Sequence, residues 1–476
     1  MLSLFILVPL FILLVINLPS KALMQRLIFW VGCLFCLFQI ASVIFMQQSF
    51  WQTNILVLSR YLRFDLAMDN LSRLMLLCIG LTVLVSFMVG RYLISEPHQR
   101  FNFSNLLFAI LIGMNGVVLS KDIFSLYVFL EVTAVTSFIL IVLYKRRDSL
   151  EAAFKYIILS SVATVLMLAS IAMIVLVVGS TSFEAIKSAL LGMGHSRLIT
   201  VAIGVFLCGL FIKGGLVPFH GWLADAYASA PAPVSILLAG IVTKTVGVYI
   251  IMRLALSVFV LDKQIGAVLM FIGTLSILVG AFEALGQNDF KRMLAYSSIS
   301  QVGYIVLGLG CATPLGVAAA AFHLFNHSVF KSLLFVNAAS VEHSTGTHNM
   351  DKVGGLASKM PFTGLTSIIG SLSVAGVPPL SGFWSKLIII IALFSSGHVI
   401  YASIAIMASV LTLGYMLSMQ RRMFFGNLLQ GLENIKESGL GLAIPAALLA
   451  VIVAGVGVFF PYVLNTFILP VGNILK

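Results

Sequence analysis

One carboxylate and several amines lie inside stretches of sequence that are otherwise apolar. Glu131 stands in "SLYVFLEVTAVTSF" and Lys213 in "FIKGGLVPFHGWL". A charge within hydrocarbon costs about 2.5–3.5 kcal/mol even on lenient scales, so it needs a partner or a use. We expect Glu131 and Lys213 to pair, because a bare carboxylate there would simply take up a proton. Separating the pair would favour loss of the Lys213 proton; the alternative is an ion pair that only orients two helices.

Further titratable side chains follow along the chain. Lys244 stands in the middle of the apolar stretch "GIVTKTVGVY", where burial would favour proton exchange, although a lysine can also reach towards the membrane surface. His323, His327 and Lys331 are spaced i, i+4 and i+8, which places them on one helical face. Histidine titrates near neutral pH, so this face suits a proton relay. A metal site and a polar packing seam are the alternatives for the histidines. Lys386 follows the proline-rich stretch "VAGVPPLSGFW".

The elements that must hold these residues are apolar helices with two interruptions. Pro218 lies in "GGLVPFHGW" at 214–222, and Pro378 and Pro379 lie in the similar "AGVPPLSGFW" at 375–384. Upstream, "EAAFKYIILSS" at 151–161 resembles "AAAFHLFNHSVFKS" at 319–332. Two matches in the same order predict duplicated five-helix units at about residues 104–256 and 264–421. Breaks of this kind are tolerated where the backbone is buried in protein or lines a watery cavity, so both should border a hydrated path.

Composition defines the class of protein. The chain has 476 residues, of which 60% are hydrophobic and 9% charged, and its mean hydropathy is +1.11. These values predict an all-α polytopic membrane protein with about fourteen spans, since each span needs about 20 apolar residues. N-terminal transmembrane helices would occupy residues 1–103 and a C-terminal one residues 422–476. The net charge of +12 comes from scattered residues, which argues for loop charges and against nucleic-acid binding. The distribution of these basic residues among the loops predicts that both termini lie on the outer side of the membrane.

The sequence offers no cofactor site. The five cysteines lie in apolar runs, and neither a nucleotide-binding loop nor a haem or iron–sulfur spacing occurs. We therefore expect no cofactor, no metal and no catalytic centre within this chain. Because nothing in it binds a fuel, a neighbouring membrane subunit would drive any transport.

Several stretches together resemble one known family, over about residues 70–425. They are "SKDIFSLYVFLEV", "FIKGGLVPFHGWLADAYASAPAPVSILLAGIVTKTVGVY", "DFKRMLAYSSISQVGY", "FHLFNHSVFKSLLF" and "VAGVPPLSGFWSKL". The family is that of the antiporter-like proton-translocating subunits of respiratory complex I, energy-converting membrane-bound hydrogenases and Mrp sodium/proton antiporters. The resemblance implies fourteen core helices with two inverted five-helix repeats, each containing a broken helix. It also implies that Glu131 is the family's glutamate, Lys213 its broken-helix lysine, Lys244 its central lysine and Lys386 its exit-side charge.

We therefore expect a proton-translocating subunit of a complex I-like or hydrogenase-type redox-driven pump in the cell (inner) membrane. Protons would pass from Lys213 through Lys244, the histidines and water to Lys386, with the Glu131–Lys213 pair as the gate. The chief alternative is a subunit of an Mrp-type sodium/proton antiporter without redox activity. An independent solute transporter and a purely structural subunit are less well supported, because no polar pocket for a solute is evident and membrane charges usually serve function.

Overall fold

The computed structural model describes residues 2–17, 21–46, 54–57, 63–193 and 197–475. Within this part of the chain, eleven helices are long and apolar enough to cross a membrane. They are Leu27–Phe45 within α2 (Lys21–Phe45), α3 (Asn70–Leu93), α4 (Pro97–Leu119), α5 (Ile123–Ile141), α6 (Arg147–Val178), α8 (Arg197–Gly214), the composite helix Ala232–Ser257, α12 (Lys263–Leu285), α13 (Phe290–Gly310), α17 (Val399–Met423) and α18 (Leu440–Val458). The composite helix begins with α10 (Ala232–Leu237) and ends with α11 (Ile250–Ser257).

The other elements are shorter or more polar. They are α1 (Leu4–Ile16), α7 (Phe183–Met193), α9 (Gly221–Ser229), α14 (Pro314–Thr345), α15 (Pro361–Ala375), α16 (Ser381–Ser395), α19 (Phe460–Val463) and α20 (Leu469–Gly472). Three spans expected from the sequence, near residues 10, 327 and 378, coincide with α1, with α14 and with the α15–α16 break. The 32-residue α14 is long enough to cross a membrane. It contains polar residues such as His323, His327 and Lys331, and it is therefore not counted among the eleven apolar spans.

A short strand pair was not predicted. Strands β1 (Asn54–Val57) and β2 (Arg63–Leu66) pair antiparallel, with Asn54 opposite Leu66. Leu66 also forms an isolated bridge with Ser120, just after α4. The strands are only four residues long each, which is too short for a periodicity of two to be recognised beside long apolar helices.

The chain divides into two compact units. The first unit comprises Met1–Phe87, Ile94–Gly215 and Ile241–Asp262, and the second comprises Met88–Leu93, Leu216–Gly240 and Lys263–Lys476. The first unit therefore contains Glu131, Lys213 and Lys244. The second contains Pro218, all of α14 and Lys386.

In the second unit, glycines bring α12 and α13 into backbone contact. Gly266, Gly273 and Gly280 recur every seven residues and so lie on one face of α12. A Cβ on Gly273 would lie 2.7 Å from the Leu307 nitrogen, and one on Gly266 would lie 2.7 Å from the Gly310 carbonyl oxygen. Small residues allow membrane helices to pack this closely, so this glycine row fixes the position of α13 and of its polar side chains.

In the first unit, an arginine secures the end of the composite helix. Arg253 donates to both carboxylate oxygens of Asp69, at 2.5 and 2.8 Å, and its Nε donates to the Tyr249 hydroxyl. Tyr249 in turn donates to the Val118 carbonyl at 2.7 Å. Burial by itself would raise the pKa of Asp69, but the charge and hydrogen bonds of Arg253 outweigh it and lower that pKa to about 2. The helix that bears Lys244 is thus held at this end by a charged anchor.

Candidate functional site

The first unit holds a buried ion pair between two helices. The Lys213 Nζ lies 2.9 Å from Glu131 Oε1 and donates to Ser160 Oγ at 2.6 Å and to Thr164 Oγ1 at 3.3 Å. Thr164 also donates to the same Glu131 oxygen at 2.8 Å. An ammonium group has three hydrogens, and these three oxygens use all of them. The structure thus brings Glu131 and Lys213 together as expected and surrounds the lysine Nζ with three hydrogen-bond acceptors.

The two partners differ in exposure. The Lys213 side chain is fully buried, whereas 26% of the Glu131 side chain remains exposed on this chain. The lysine cannot gain water without a rearrangement, but the carboxylate can be reached from one side. The carboxylate is therefore the member of the pair that lies nearer the surface of this chain.

A helix break follows Lys213 immediately. Helix α8 ends at Gly214, Gly215 has φ 65°, the Val217–Pro218 peptide is cis, and α9 begins at Gly221. Glycine supplies the left-handed backbone, and proline has no N–H with which to continue the helix. The regular helical hydrogen bonding therefore ends beside the lysine, where the Gly215 N–H donates to the Ile212 carbonyl at 3.1 Å.

Lys244 lies on a helix of unusual winding. It begins a π-helical segment, Lys244–Tyr249, and its side chain is fully buried, with Nζ 3.3 Å from Thr243 Oγ1. Gly247 of this segment packs directly on Gly214, since a Cβ on Gly247 would lie 2.3 Å from the Gly214 Cα. The backbones that bear Lys213 and Lys244 are therefore in direct contact. Local π-winding is frequent at functional sites, and nothing in the residue pattern predicted it.

We expect Gly247→Ala to destabilise the protein, because neither backbone at this crossing can retreat without moving a lysine. Overpacking a tight contact typically costs about 1–3 kcal/mol. The measurement is the thermal unfolding midpoint of the detergent-solubilised protein. Gly204→Ala is the matched control, because Gly204 is an exposed glycine of α8 with open space around its Cβ position. Equal midpoints for the two variants would show that the crossing is not tight.

The second unit holds Lys386 without a carboxylate. Lys386 lies on α16, which follows the break between α15 and α16 at Gly376 (φ 85°) and the cis Pro378–Pro379 peptide. Its Nζ donates to the Val374 carbonyl at 2.8 Å and lies 4.6 Å from the centre of the Tyr304 ring. No carboxylate of the described residues lies within ion-pair distance of Lys386. A carbonyl dipole and an aromatic face thus replace the counter-ion that Lys213 has.

Of the three residues on α14, the first and the last contact different helices. His323, His327 and Lys331 are all fully buried. The Nδ1 of His323 lies 2.9 Å from Ser385 Oγ, next to Lys386 in sequence, and the His327 ring packs edge-on against Phe330. The Nζ of Lys331 donates to the Leu294 carbonyl at 3.0 Å and to the Ser297 hydroxyl, both on α13. The three residues lie on one face of α14, as the spacing predicted, but His323 contacts α16 and Lys331 contacts α13.

Sequence reasoning missed several members of these sites. Ser160 and Thr164 complete the shell of Lys213, and their i, i+4 spacing in an apolar helix was a signal that could have found them. Tyr304 had no such signal, because a tyrosine in an apolar run looks like core. Lys155 forms a 2.8 Å surface pair with Glu151, one turn away on α6.

The chain is similar to proteins of known type over most of its length. Residues 120–412, which include Glu131, Lys213 and Lys386, match the family model described as NADH:quinone oxidoreductase/Mrp antiporter, transmembrane. A Na(+)/H(+) antiporter subunit of Alkalihalophilus pseudofirmus is 34% identical over 76% of this chain and 73% of that protein. An NADH-quinone oxidoreductase subunit of Desulforudis audaxviator is 32% identical over 80% of this chain and 79% of that protein. A chain in the structure of the Mrp complex from Dietzia sp. superposes with a TM-score of 0.91 at 26% identity, covering 100% of this chain and 97% of that one.

Proposed function

Because the chain belongs to the NADH:quinone oxidoreductase/Mrp antiporter transmembrane family, and is thus a multi-pass, antiporter-like ion-translocating subunit, we propose that it moves protons through its buried lysines. The observation that carries the proposal is the ion pair of Glu131 with the fully buried Lys213. At about 4 Å and an effective dielectric constant near 20, such a pair is worth about 4 kcal/mol. One tenfold change in proton affinity corresponds to about 1.36 kcal/mol, so opening the pair would weaken the hold on the Lys213 proton by about a thousandfold.

The proposed relay uses the ionisable residues of both units. A proton enters from the inner side and is held in turn by Lys213, Lys244, His323 or His327, Lys331 and Lys386, from which it leaves outward. The breaks at Pro218 and at Pro378–Pro379 provide hydrated backbone along the route. The support for this is the full burial of Lys213, Lys244, Lys331 and both histidines, since buried ionisable groups in membrane proteins commonly mark ion pathways.

We further propose the complete architecture that the sequence resemblance implies. It has about fourteen transmembrane helices, with inverted five-helix repeats at residues 104–256 and 264–421 and both termini outside the inner membrane. The two breaks support a repeat, because each has a glycine in the left-handed conformation at its start (φ 65° at Gly215 and 85° at Gly376) and proline two or three residues later. Residues 1–103 and 422–476 flank the repeats.

The subunit would work with other membrane subunits in one of two kinds of complex. A redox-driven pump is supported by the relative from an NADH-quinone oxidoreductase. A sodium/proton antiporter is supported by the relative of 34% identity and by the superposition on the Mrp complex. In either complex this chain would supply the proton path, and electron transfer or sodium binding would involve its partners.

The experiment that separates the two uses the complete native complex in vesicles with a fluorescent reporter of the pH gradient. An antiporter should dissipate an imposed gradient when sodium is added, without any electron donor. A redox-driven pump should instead build a gradient when its electron donor is supplied, and sodium alone should have no effect. A complex that moves no protons under either condition would contradict the proposed function.

A further inference from the structure

A cluster of titratable side chains lies where α13 begins and α14 ends, within the second unit. His348 follows α14, and its Nε2 lies 2.9 Å from Asp289 Oδ2, while its Nδ1 lies 3.9 Å from Glu342 Oε1. The other Glu342 oxygen lies 2.8 Å from the Nζ of Lys291. Asp289 also caps α13 by accepting from the Arg292 backbone N–H at 2.9 Å. Sequence alone allows Asp289 and Lys291 to be ordinary interfacial charges; in the structure they belong to one connected group.

The cluster passes from the surface to the interior. His348 is 38% exposed, Glu342 is 29% exposed and Lys291 is only 3% exposed. A proton arriving from water can reach the imidazole and the carboxylate, and the buried amine lies behind them. This order differs from a surface salt bridge, whose members are all solvated.

Polar groups continue from the cluster along one face of α13. Lys291 is followed at steps of three or four residues by Leu294, Ser297, Gln301 and Tyr304, and such steps stay on one helical face. The Leu294 carbonyl and the Ser297 hydroxyl accept from Lys331, and the Tyr304 ring lies beneath the Lys386 ammonium. All five residues of this face are buried. One helix therefore presents a row of polar groups that leads from the cluster to Lys331 and Lys386.

From this geometry we propose that His348, Asp289 and Glu342 form a proton-collecting site that loads Lys331 and Lys386 along this face of α13. The proposal rests on the proposed function, and the ligand is the hydrated proton. His348 takes a proton from water and passes one through water to the Glu342 carboxylate. The imidazole returns to its starting state when the next proton arrives. Asp289 is a positioning residue, since its contact with Nε2 leaves Nδ1 turned towards Glu342.

The charges that face His348 suit this exchange. The hydrogen bond that the His348 imidazole donates to Asp289 raises the pKa of His348 and outweighs the opposing effects of burial and of Lys291, while Glu342 adds a smaller rise. The folded protein thus holds this proton to a higher pH than the unfolded chain does. The contact stabilises the fold fully at acidic pH, and this stabilisation is lost as the pH rises through the folded-state pKa of His348.

The test uses His348→Gln in the complete complex, reconstituted in vesicles. We expect the initial rate of proton uptake to fall several-fold at low buffer concentration and to recover when free imidazole is added, because a mobile imidazole replaces the missing one. His98→Gln is the matched control, since His98 is an exposed histidine of the first unit whose Nδ1 lies 3.3 Å from the Asn102 amide nitrogen. It should keep the wild-type rate and show no response to imidazole.

Other outcomes overturn the proposal. A slow His348→Gln complex that imidazole does not restore would show a structural role, and an unchanged rate would show no role. If His348→Gln fails to assemble, Asp289→Asn serves instead, and its rate must show the same imidazole response. Lys213→Ala separates the two hypotheses. If it abolishes transport while His348→Gln has no effect, only the collecting site is wrong, and if both variants pump normally, the proposed function itself is wrong.

Discussion

Replacing Lys213 with alanine should abolish most coupled transport while the complex still assembles. The variant removes the one amine that Glu131, Ser160 and Thr164 jointly surround, so no group remains there to hold and release the proton. Loss of a positioned proton-transfer group typically costs about 100-fold or more in rate. The measurement is proton translocation by reconstituted vesicles, together with the amount of assembled complex.

Two companion variants make this result specific. Glu131→Gln keeps the shape of the carboxylate but removes its charge, so transport should fall and its pH dependence should shift, because Lys213 then loses its proton more readily. Lys155→Ala breaks a lysine–glutamate pair of similar length, 2.8 Å, on the exposed face of α6 and should change nothing. Normal pumping by an assembled Lys213→Ala complex would rule out the role of this lysine, and an unchanged pH profile for Glu131→Gln would rule out the gate.

The second large effect is expected at Lys386. Lys386→Ala should block proton release, because the ammonium over Tyr304 belongs to the only lysine on α16. Lys386→Glu should retain part of the transport with an altered pH optimum, since a titratable group survives. Lys386→Arg should fail, because arginine keeps its proton at any working pH. Transport by the three assembled variants is measured across a range of pH.

A purely structural Lys386 predicts the reverse order. A side chain that only donates to the Val374 carbonyl and covers the Tyr304 ring should be replaced better by arginine than by glutamate. Full transport by the arginine variant would therefore show that Lys386 is not a proton station. Lys386, unlike Lys213, has no carboxylate partner among the described residues. Replacing it therefore leaves no unpaired carboxylate that would complicate the comparison.

The sequence predicted the parts of the site that depend on strong local rules. Proline lacks the N–H that would continue a helix, and glycine readily adopts the left-handed conformation that ends one, so both breaks were found where the structure has them, at Gly214–Gly221 and at Ala375–Ser381. A charge in an apolar helix needs a partner, so the Glu131–Lys213 contact was expected and is confirmed at 2.9 Å. The roles of these residues in transport remain predictions.

The features of the site that the sequence did not predict depend on packing between distant parts of the chain. Ser160 and Tyr304 are of types that occur throughout membrane helices, and only tertiary contacts with Lys213 and Lys386 distinguish them. The π-winding at Lys244–Tyr249 likewise accompanies a backbone contact of Gly247 with Gly214, which no pattern within one helix reveals. His348 was overlooked because its partners, Asp289 and Glu342, belong to two other segments.

The short helices on either side of the second break have an electrical consequence. Helices α15 and α16 have 15 residues each. At 1.5 Å per residue each is about 22 Å long, less than the roughly 30 Å of a hydrocarbon core; in the proposed architecture, where the two helices together form one span, their junction lies within the membrane. Lys386, on the first turns of α16, is therefore separated from either aqueous phase by only part of the membrane thickness. A full charge crossing the membrane gains about 2.3 kcal/mol per 100 mV, and a proton leaving Lys386 for one side should sense only a fraction of that voltage.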